Sequence, residues 1–372
     1  MALPDVVSLF TELAAIPSPP GEEREVADRV LTYLRQLGLD VEEDGAGAEI
    51  GSTMGNVVAR LPASAPAGTA LFLCAHLDTV PPTEAIEPLV DDGVVRNARP
   101  TILGADNKAA VAVMLDAVRR VVEEGRAHAG IELLFTPKEE TGLEGAKALD
   151  VERLHARVGF VYDHAGPLGE VVASAPSSTA IDAIFTGRAA HAGMHPEEGR
   201  SAVAAAARAI ADLRLGRVDE ETTANVGVVQ GGTARNVVPD RCTVVAEARS
   251  LDDSRLAAVV QEMVDSFTFA AALGECEVDV TLEEKYRGYR FRPADEPLRL
   301  AFAALTACGL EPSAVRAGGG ADANVLNARG RPCANLANGM ARIHSSEEHI
   351  AVTDVERMVD VTLALVEAAR SG

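Results

Sequence analysis

Apolar residues at Val26, Val30, Leu31, Leu34 and Leu37 recur at the three- and four-residue spacing of a helix face, and Gly38 supplies a stop. Beyond it the period changes. Short apolar runs at 56–61, 70–75, 131–136, 158–162 and 171–173 read as strands, and an apolar-rich segment from about Lys108 to Glu123, ended by Gly125, reads as a helix. Strands alternating with helices predict an α/β fold, a mainly parallel sheet with helices on both faces.

The character changes around Ala175-Pro176-Ser177-Ser178. From there the order is strand 180–187, helix 201–213, strands 224–229 and 242–249, helix 254–272 and strand 276–283. This βαββαβ order suits a small α+β sandwich with two helices on one face. Arg292-Pro293-Ala294-Asp295-Glu296-Pro297 reads as a return linker. The segment 298–308, a strand near 333–336 and a last helix at 355–369 then resume the first pattern. The expected organisation is a discontinuous α/β domain, 1–177 and 294–372, interrupted by an inserted α+β domain, 178–293.

The chain has 372 residues, enough for two cores. Its formal charge of -22 repels phosphate, which argues against nucleic acid and anionic membranes as partners. No uninterrupted apolar run of about 20 residues predicts a membrane span, and residues 1–12 lack the basic start of a signal peptide. Cys74, Cys242, Cys276, Cys308 and Cys333 are odd in number and scattered, the pattern of thiols in a reduced cytoplasm.

Chemistry collects at predicted strand ends. Leu71-Phe72-Leu73-Cys74-Ala75-His76-Leu77-Asp78-Thr79 runs an apolar strand into a His and an Asp two residues apart, on one side of an extended chain. Asp106, the pair Glu139-Glu140, Asp163 and His344 stand in other strand-end or loop positions. Open α/β sheets bind ligands at the carboxyl ends of their strands, so these distant residues can converge. Two histidines and three carboxylates suit two divalent ions, each with about three protein ligands and a shared water. One glutamate of the pair could ligate while the other faces that water; alone, the pair suits a solvated helix start before 143–149 equally well.

The chain resembles the two-metal peptidases that include peptidase T, bacterial glutamate carboxypeptidase, acetylornithine deacetylase and succinyl-diaminopimelate desuccinylase. The matching stretches are His76-Leu77-Asp78-Thr79, Gly104-Ala105-Asp106-Asn107-Lys108, Glu139-Glu140-Thr141-Gly142, Ala190-His191-Ala192-Gly193, Pro196-Glu197-Glu198-Gly199, Gly231-Gly232-Thr233-Ala234-Arg235-Asn236-Val237-Val238-Pro239, and His344 with Glu348. They follow the family's order over nearly the whole chain.

This resemblance implies roles. Asp106 would bridge two metal ions, with His76 and Asp163 completing one site and Glu140 and His344 the other. Asp78 would orient His76, and Glu139 would be the general base toward the bridging water. A cis peptide would follow Asp106. His191, Asn236 and Arg249 match substrate-contacting positions: His191 to polarise the scissile carbonyl, Arg249 to offer its fork to a substrate carboxylate, Asn236 to bond the same end. Gly318-Gly319-Gly320-Ala321-Asp322 resembles a Gly-rich segment that approaches substrate.

Some positions depart from the family or stay open. Asn107 stands where many relatives have Asp, and His164 is an alternative ligand beside Asp163. His349 reads as surface or as support for the site, and His128, His155 and His195 read as solvated. Cys74 reads as core, and Tyr286, Arg287, Tyr289 and Arg290 as strand-end packing, with contact to substrate or a neighbouring subunit as the alternative.

The expectation is a cytoplasmic metallopeptidase cleaving short peptides as an aminotripeptidase-like exopeptidase, most like peptidase T. Gly104-Ala105-Asp106-Asn107-Lys108-Ala109 and Thr141-Gly142-Leu143-Glu144-Gly145-Ala146-Lys147 favour that branch. An N-acyl-amino-acid deacylase or a carboxypeptidase with the same site is the alternative. Zinc is the expected metal, with cobalt or manganese also accepted by such ligands. The resemblance further implies a homodimer paired through the inserted domain, which would also serve as a lid.

Overall fold

The computed structural model of the chain describes residues 3–65 and 67–371. Two compact units divide it: one takes the chain through Ala173, then Phe291–Ala317 and the part from Ala321 onward; the other takes Ser174–Arg290 with Gly318–Gly320.

The first unit is built on a mixed sheet in the order Asp40–Glu43, Val57–Leu61, Ile131–Thr136, Leu71–His76, Val158–His164, Cys333–Ala337, Glu170–Ala175. The four strands from Ile131–Thr136 to Cys333–Ala337 are mutually parallel, and the flanking pairings are antiparallel. Every residue of Leu71–His76 and of Ile131–Thr136 is buried, which explains why they read as mostly apolar runs rather than alternating ones; Glu132 is the charged exception, paired with Arg60 at 3.1 Å. In the parallel register His76 lies beside Thr136, so the loops after both strands leave from the same edge.

Helices Val6–Ala14, Arg24–Gln36, Ala105–Glu123, Glu296–Ala307 and Val352–Ser371 share one apolar core with the sheet. Ala105–Glu123 is irregular at its start, where Asp106 (ψ 102°) and Asn107 (φ -120°) leave the helical region. Regular helix begins at Lys108, as the apolar pattern predicts. The peptide bond between Asp106 and Asn107 is cis. Val6–Ala14 is not picked out by that pattern; Asp5 caps it, accepting the N–H groups of Val7 (3.1 Å) and Ser8 (3.0 Å).

A separate antiparallel sheet of His349–Ala351, Val94–Asn97 and Pro88–Asp91 also lies outside the prediction. Its strands span three or four residues and carry one fully buried side chain each at most, too little for a period to register.

The second unit is an antiparallel sheet in the order Gly216–Asp219, Thr222–Gly231, Arg241–Ser250, Ser177–Thr186, Glu277–Tyr286. Helices Ala202–Asp212 and Asp253–Leu273 pack on it through a shared core. The period of two is plain in Arg241–Ser250, where Cys242, Val244, Ala246, Ala248 and Ser250 are buried and their neighbours are not. Phe185 from the sheet meets Phe267 from the longer helix edge-on, ring centroids 5.9 Å apart. The short strand Gly216–Asp219 is an addition to the expected order. Among the described residues Asp253–Leu273 is the one helix long and apolar enough by composition to cross a membrane; Leu256, Val259, Val260, Met263, Phe267, Ala270 and Ala271 are buried on its sheet side.

Candidate metal centre

The residues expected to hold metal meet at the carboxyl edge of the parallel strands. His76, the last residue of its strand, is 2% exposed. Its Nδ1 donates to the backbone carbonyl of Asp78 at 2.9 Å, which turns Nε2 toward Asp106 Oδ1 at 3.1 Å and Asp163 Oδ1 at 3.6 Å. The other oxygen of Asp106 faces Nε2 of His344 at 3.3 Å, and the same nitrogen lies 2.9 Å from Glu140 Oε1. The two oxygens of Asp106 therefore look at two different imidazoles. Donor atoms of His76, Asp106 and Glu140 fall within 4.8 Å of one another, as do those of His76, Glu139 and Asp163.

Charge is concentrated here. Burial opposes the cationic form of His76, but its bonds to Asp106, Asp163 and Asp78 outweigh that and raise its pKa well above the usual imidazole value. Burial alone would raise Asp106, yet bonds from His344 and His76 hold it far below the usual carboxylate range. Burial and the charge of Asp106 push Asp163 up to about 7, and burial with the Asp163 charge raises Glu139 well above its ordinary value. Bonds to Asp106 and Glu140 bring His344 up to about 10. Imidazole nitrogens and carboxylate oxygens gathered this closely are also a donor set for divalent ions.

Asp78 is fully buried, and its carboxylate takes the backbone N–H of Glu139 (3.0 Å) on one oxygen and that of Glu140 (3.1 Å) on the other. It reaches His76 mainly through its carbonyl, since the nearer carboxylate oxygen is 3.5 Å from Nδ1. Glu23, also buried, accepts the N–H groups of Gly21 (2.7 Å) and Lys138 (3.2 Å).

Four further polar groups escaped the sequence reading. Glu23 is one. Glu348 is 2% exposed and accepts the N–H groups of Leu103, Gly104 and Asp106. Asp322 is 1% exposed; it accepts from the Thr136 hydroxyl at 2.5 Å and the Cys74 thiol at 3.9 Å, and burial raises its pKa to about 6. Lys108 is fully buried with its ammonium on the Ile16 carbonyl, and burial pulls its pKa down to about 7. Glu348, Asp322 and Lys108 stand inside motifs already singled out, and that position was their only signal.

The other histidines lie apart from this cluster. His164 pairs with Glu170 at 3.1 Å, His349 bonds the Glu347 carbonyl at 2.8 Å, and His155 and His195 are exposed. His128, expected to be solvated, is 4% exposed: it sits where 63–65 folds back, its carbonyl receiving the N–H groups of Ser64 and Ala65.

In the second unit, Nδ1 of His191 accepts the N–H groups of Gly193 and Met194, both at 3.2 Å, so the neutral ring carries its hydrogen on Nε2. The Asn236 carbonyl accepts the N–H of Ala192 at 2.9 Å, which brings two of the sequence motifs side by side. Arg249 donates from Nη2 to Glu247 at 2.9 Å and from Nη1 to the Gly318 carbonyl at 3.3 Å, leaving its buried Nε unpartnered. The Tyr286 ring packs on Gly320, where a Cβ would come within 2.5 Å of it, so no side chain fits there. Arg287 and Arg290 pair with Glu284 and Glu221.

Comparison with known proteins finds relatives along nearly the whole chain. Residues 72–368 match the family described as peptidase family M20/M25/M40. The protein YqjE of Bacillus subtilis is 37% identical over 97% of both chains, and peptidase T of Escherichia fergusonii is 26% identical over 97% of this chain and 96% of its own. Among solved structures, aminopeptidase PepT from Bacillus cereus superposes with a TM-score of 0.92 at 39% identity, covering 98% of each chain. A tripeptidase from Staphylococcus aureus superposes with a TM-score of 0.95 at 34% identity, covering 99% of this chain and 98% of its own.

Proposed function

Because the chain belongs to peptidase family M20/M25/M40 and is a peptidase, we propose that it releases the N-terminal residue of short peptides, tripeptides above all, with two divalent ions held by His76, Asp106, Glu140, Asp163 and His344. The observation that carries this reading is Asp106, whose two oxygens face His76 at 3.1 Å and His344 at 3.3 Å. One carboxylate so placed can serve two ions, and zinc suits the mixed nitrogen and oxygen donors. The preference for tripeptides rests on likeness to an aminopeptidase PepT and a tripeptidase over nearly the full length.

When bound, the ions supply Lewis-acid polarisation of the scissile carbonyl and lower the pKa of the attacking water. Glu139 takes the proton of that water and returns it to the leaving amine. Burial suits it to this task by raising its proton affinity. Asp78 keeps Glu139 and Glu140 facing the site by holding both their N–H groups. His191, with its hydrogen on Nε2, donates toward the oxyanion that forms on the carbonyl. Arg249 and Asn236 take the substrate's carboxylate end.

The inserted unit is proposed to act as a lid and to pair two copies of the chain; a monomeric mass in light scattering would contradict the pairing. The five free cysteines accord with a cytoplasmic setting.

A panel of tripeptides, N-acetylated amino acids and acylated glutamates, each assayed with zinc, cobalt or manganese, tests the substrate. Cleavage of peptides with a free amino group is expected. Turnover of the acylated compounds alone would overturn the aminopeptidase reading in favour of a deacylase or carboxypeptidase.

A further inference from the structure

Of the adjacent pair Glu347 and Glu348, the first has its side chain 72% exposed and the second is 2% exposed. A buried carboxylate needs partners, and Glu348 finds three. Its Oε2 accepts the N–H groups of Leu103 (2.7 Å) and Gly104 (2.8 Å), and its Oε1 accepts that of Asp106 (2.9 Å). All three donors lie on the turn that carries Asp106, where Gly104 adopts φ 77°. Successive N–H groups aimed at one point make an anion-binding concavity, and bonds to a charged acceptor are about twice as strong as neutral ones.

The same carboxylate stands four residues after His344. The loop between them is closed at its base, where Ala341 and His349 exchange backbone hydrogen bonds of 2.9 and 3.1 Å. His349 continues into the small sheet beside Val94–Asn97. His344 therefore projects from a loop fixed at its base by a sheet and, one residue inside that base, by Glu348 on the Asp106 turn.

We propose that Glu348 is a positioning residue that locks the His344 loop to the Asp106 turn, so that these two ligands are held at one spacing before an ion arrives. The inference rests on the two-metal reading of Asp106 and His344. Glu348 itself touches neither ion nor substrate in this account; it acts through the Asp106 backbone.

The test is Glu348→Gln. The amide keeps one acceptor oxygen, so either the Leu103 and Gly104 donors or the Asp106 donor must face an NH2 group. Zinc binding to chelated wild type and variant is measured by calorimetry, beside circular dichroism. A folded variant that binds zinc about 10- to 100-fold more weakly is expected. Unchanged affinity in a folded variant overturns the inference and leaves the two-metal reading standing. A wild type that binds no zinc overturns both.

A second measurement needs no variant. In metal-free wild type, the amides of Leu103, Gly104 and Asp106 should exchange hydrogen as slowly as those of Leu71–His76. Exchange at the rate of an exposed loop would overturn the lock even if Glu348→Gln failed to fold.

Discussion

Asp78 holds Glu139 by its backbone: one carboxylate oxygen of Asp78 accepts the Glu139 N–H at 3.0 Å, while its second oxygen takes the next N–H along. The strand-end Asp thus supports two loops at once, since its carbonyl also fixes the tautomer of His76. Asp78→Asn leaves one of the two N–H groups without an acceptor and should lower kcat about 10- to 100-fold with the protein folded. Steady-state kinetics on a tripeptide checks this; an unchanged kcat would mean that the clamp is not needed.

Glu139→Ala separates proton transfer from metal binding. Turnover should fall about 10²- to 10⁴-fold, whereas the zinc content of the purified protein should match wild type. Elemental analysis alongside kinetics reads both. Retained turnover would exclude Glu139 as the base.

Arg249 is expected to act on binding more than on chemistry. Arg249→Lys removes the planar fork and should raise KM about tenfold for peptides ending in a free carboxylate. Peptides with an amidated end, which give the fork nothing to grip, should show little difference between the two proteins. Equal losses on both substrates would argue against a carboxylate at Arg249.

Asp322 carries a pH prediction for stability. Burial raises its folded pKa from 3.8 to about 6, so the folded state prefers the protonated acid. Its favourable contribution is complete below the unfolded pKa and is lost as pH rises through the folded one. Asp322→Asn keeps an acceptor for the Thr136 hydroxyl and cannot ionise. In the metal-free protein the variant should therefore be more stable than wild type by ~1–3 kcal/mol at about pH 7, with the gap closing below about pH 4. Denaturant melts at the two pH values test it; a variant less stable than wild type near pH 7 would contradict the sign.

Much of the scaffold was legible because the parallel strands are buried on both faces and leave largely apolar runs, with His76 falling at the end of one. The break in helix geometry before Lys108 also left a trace, since the apolar helix pattern begins there and not at Ala105. The backbone holds made by the supporting carboxylates were not legible. Asp78 was expected beside His76, but its grip on Glu139 and Glu140, like those of Glu348 and Glu23 on their loops, runs through backbone N–H groups, and such bonds impose no periodicity and no side-chain partner to look for. Asp322 was hidden for a related reason: its partners Thr136 and Cys74 are ordinary strand residues more than a hundred positions away. His128 was misjudged because its polar neighbourhood in sequence says nothing of the segment that folds over it.

Peptide hydrolysis is proposed to depend on two ions at this cluster. The most direct test is to strip the protein with a chelator and restore zinc in measured steps while following tripeptide cleavage. The stripped protein should be inactive, and activity should return and level off at two zinc ions per chain. Full tripeptide cleavage by protein shown to hold no metal would contradict it.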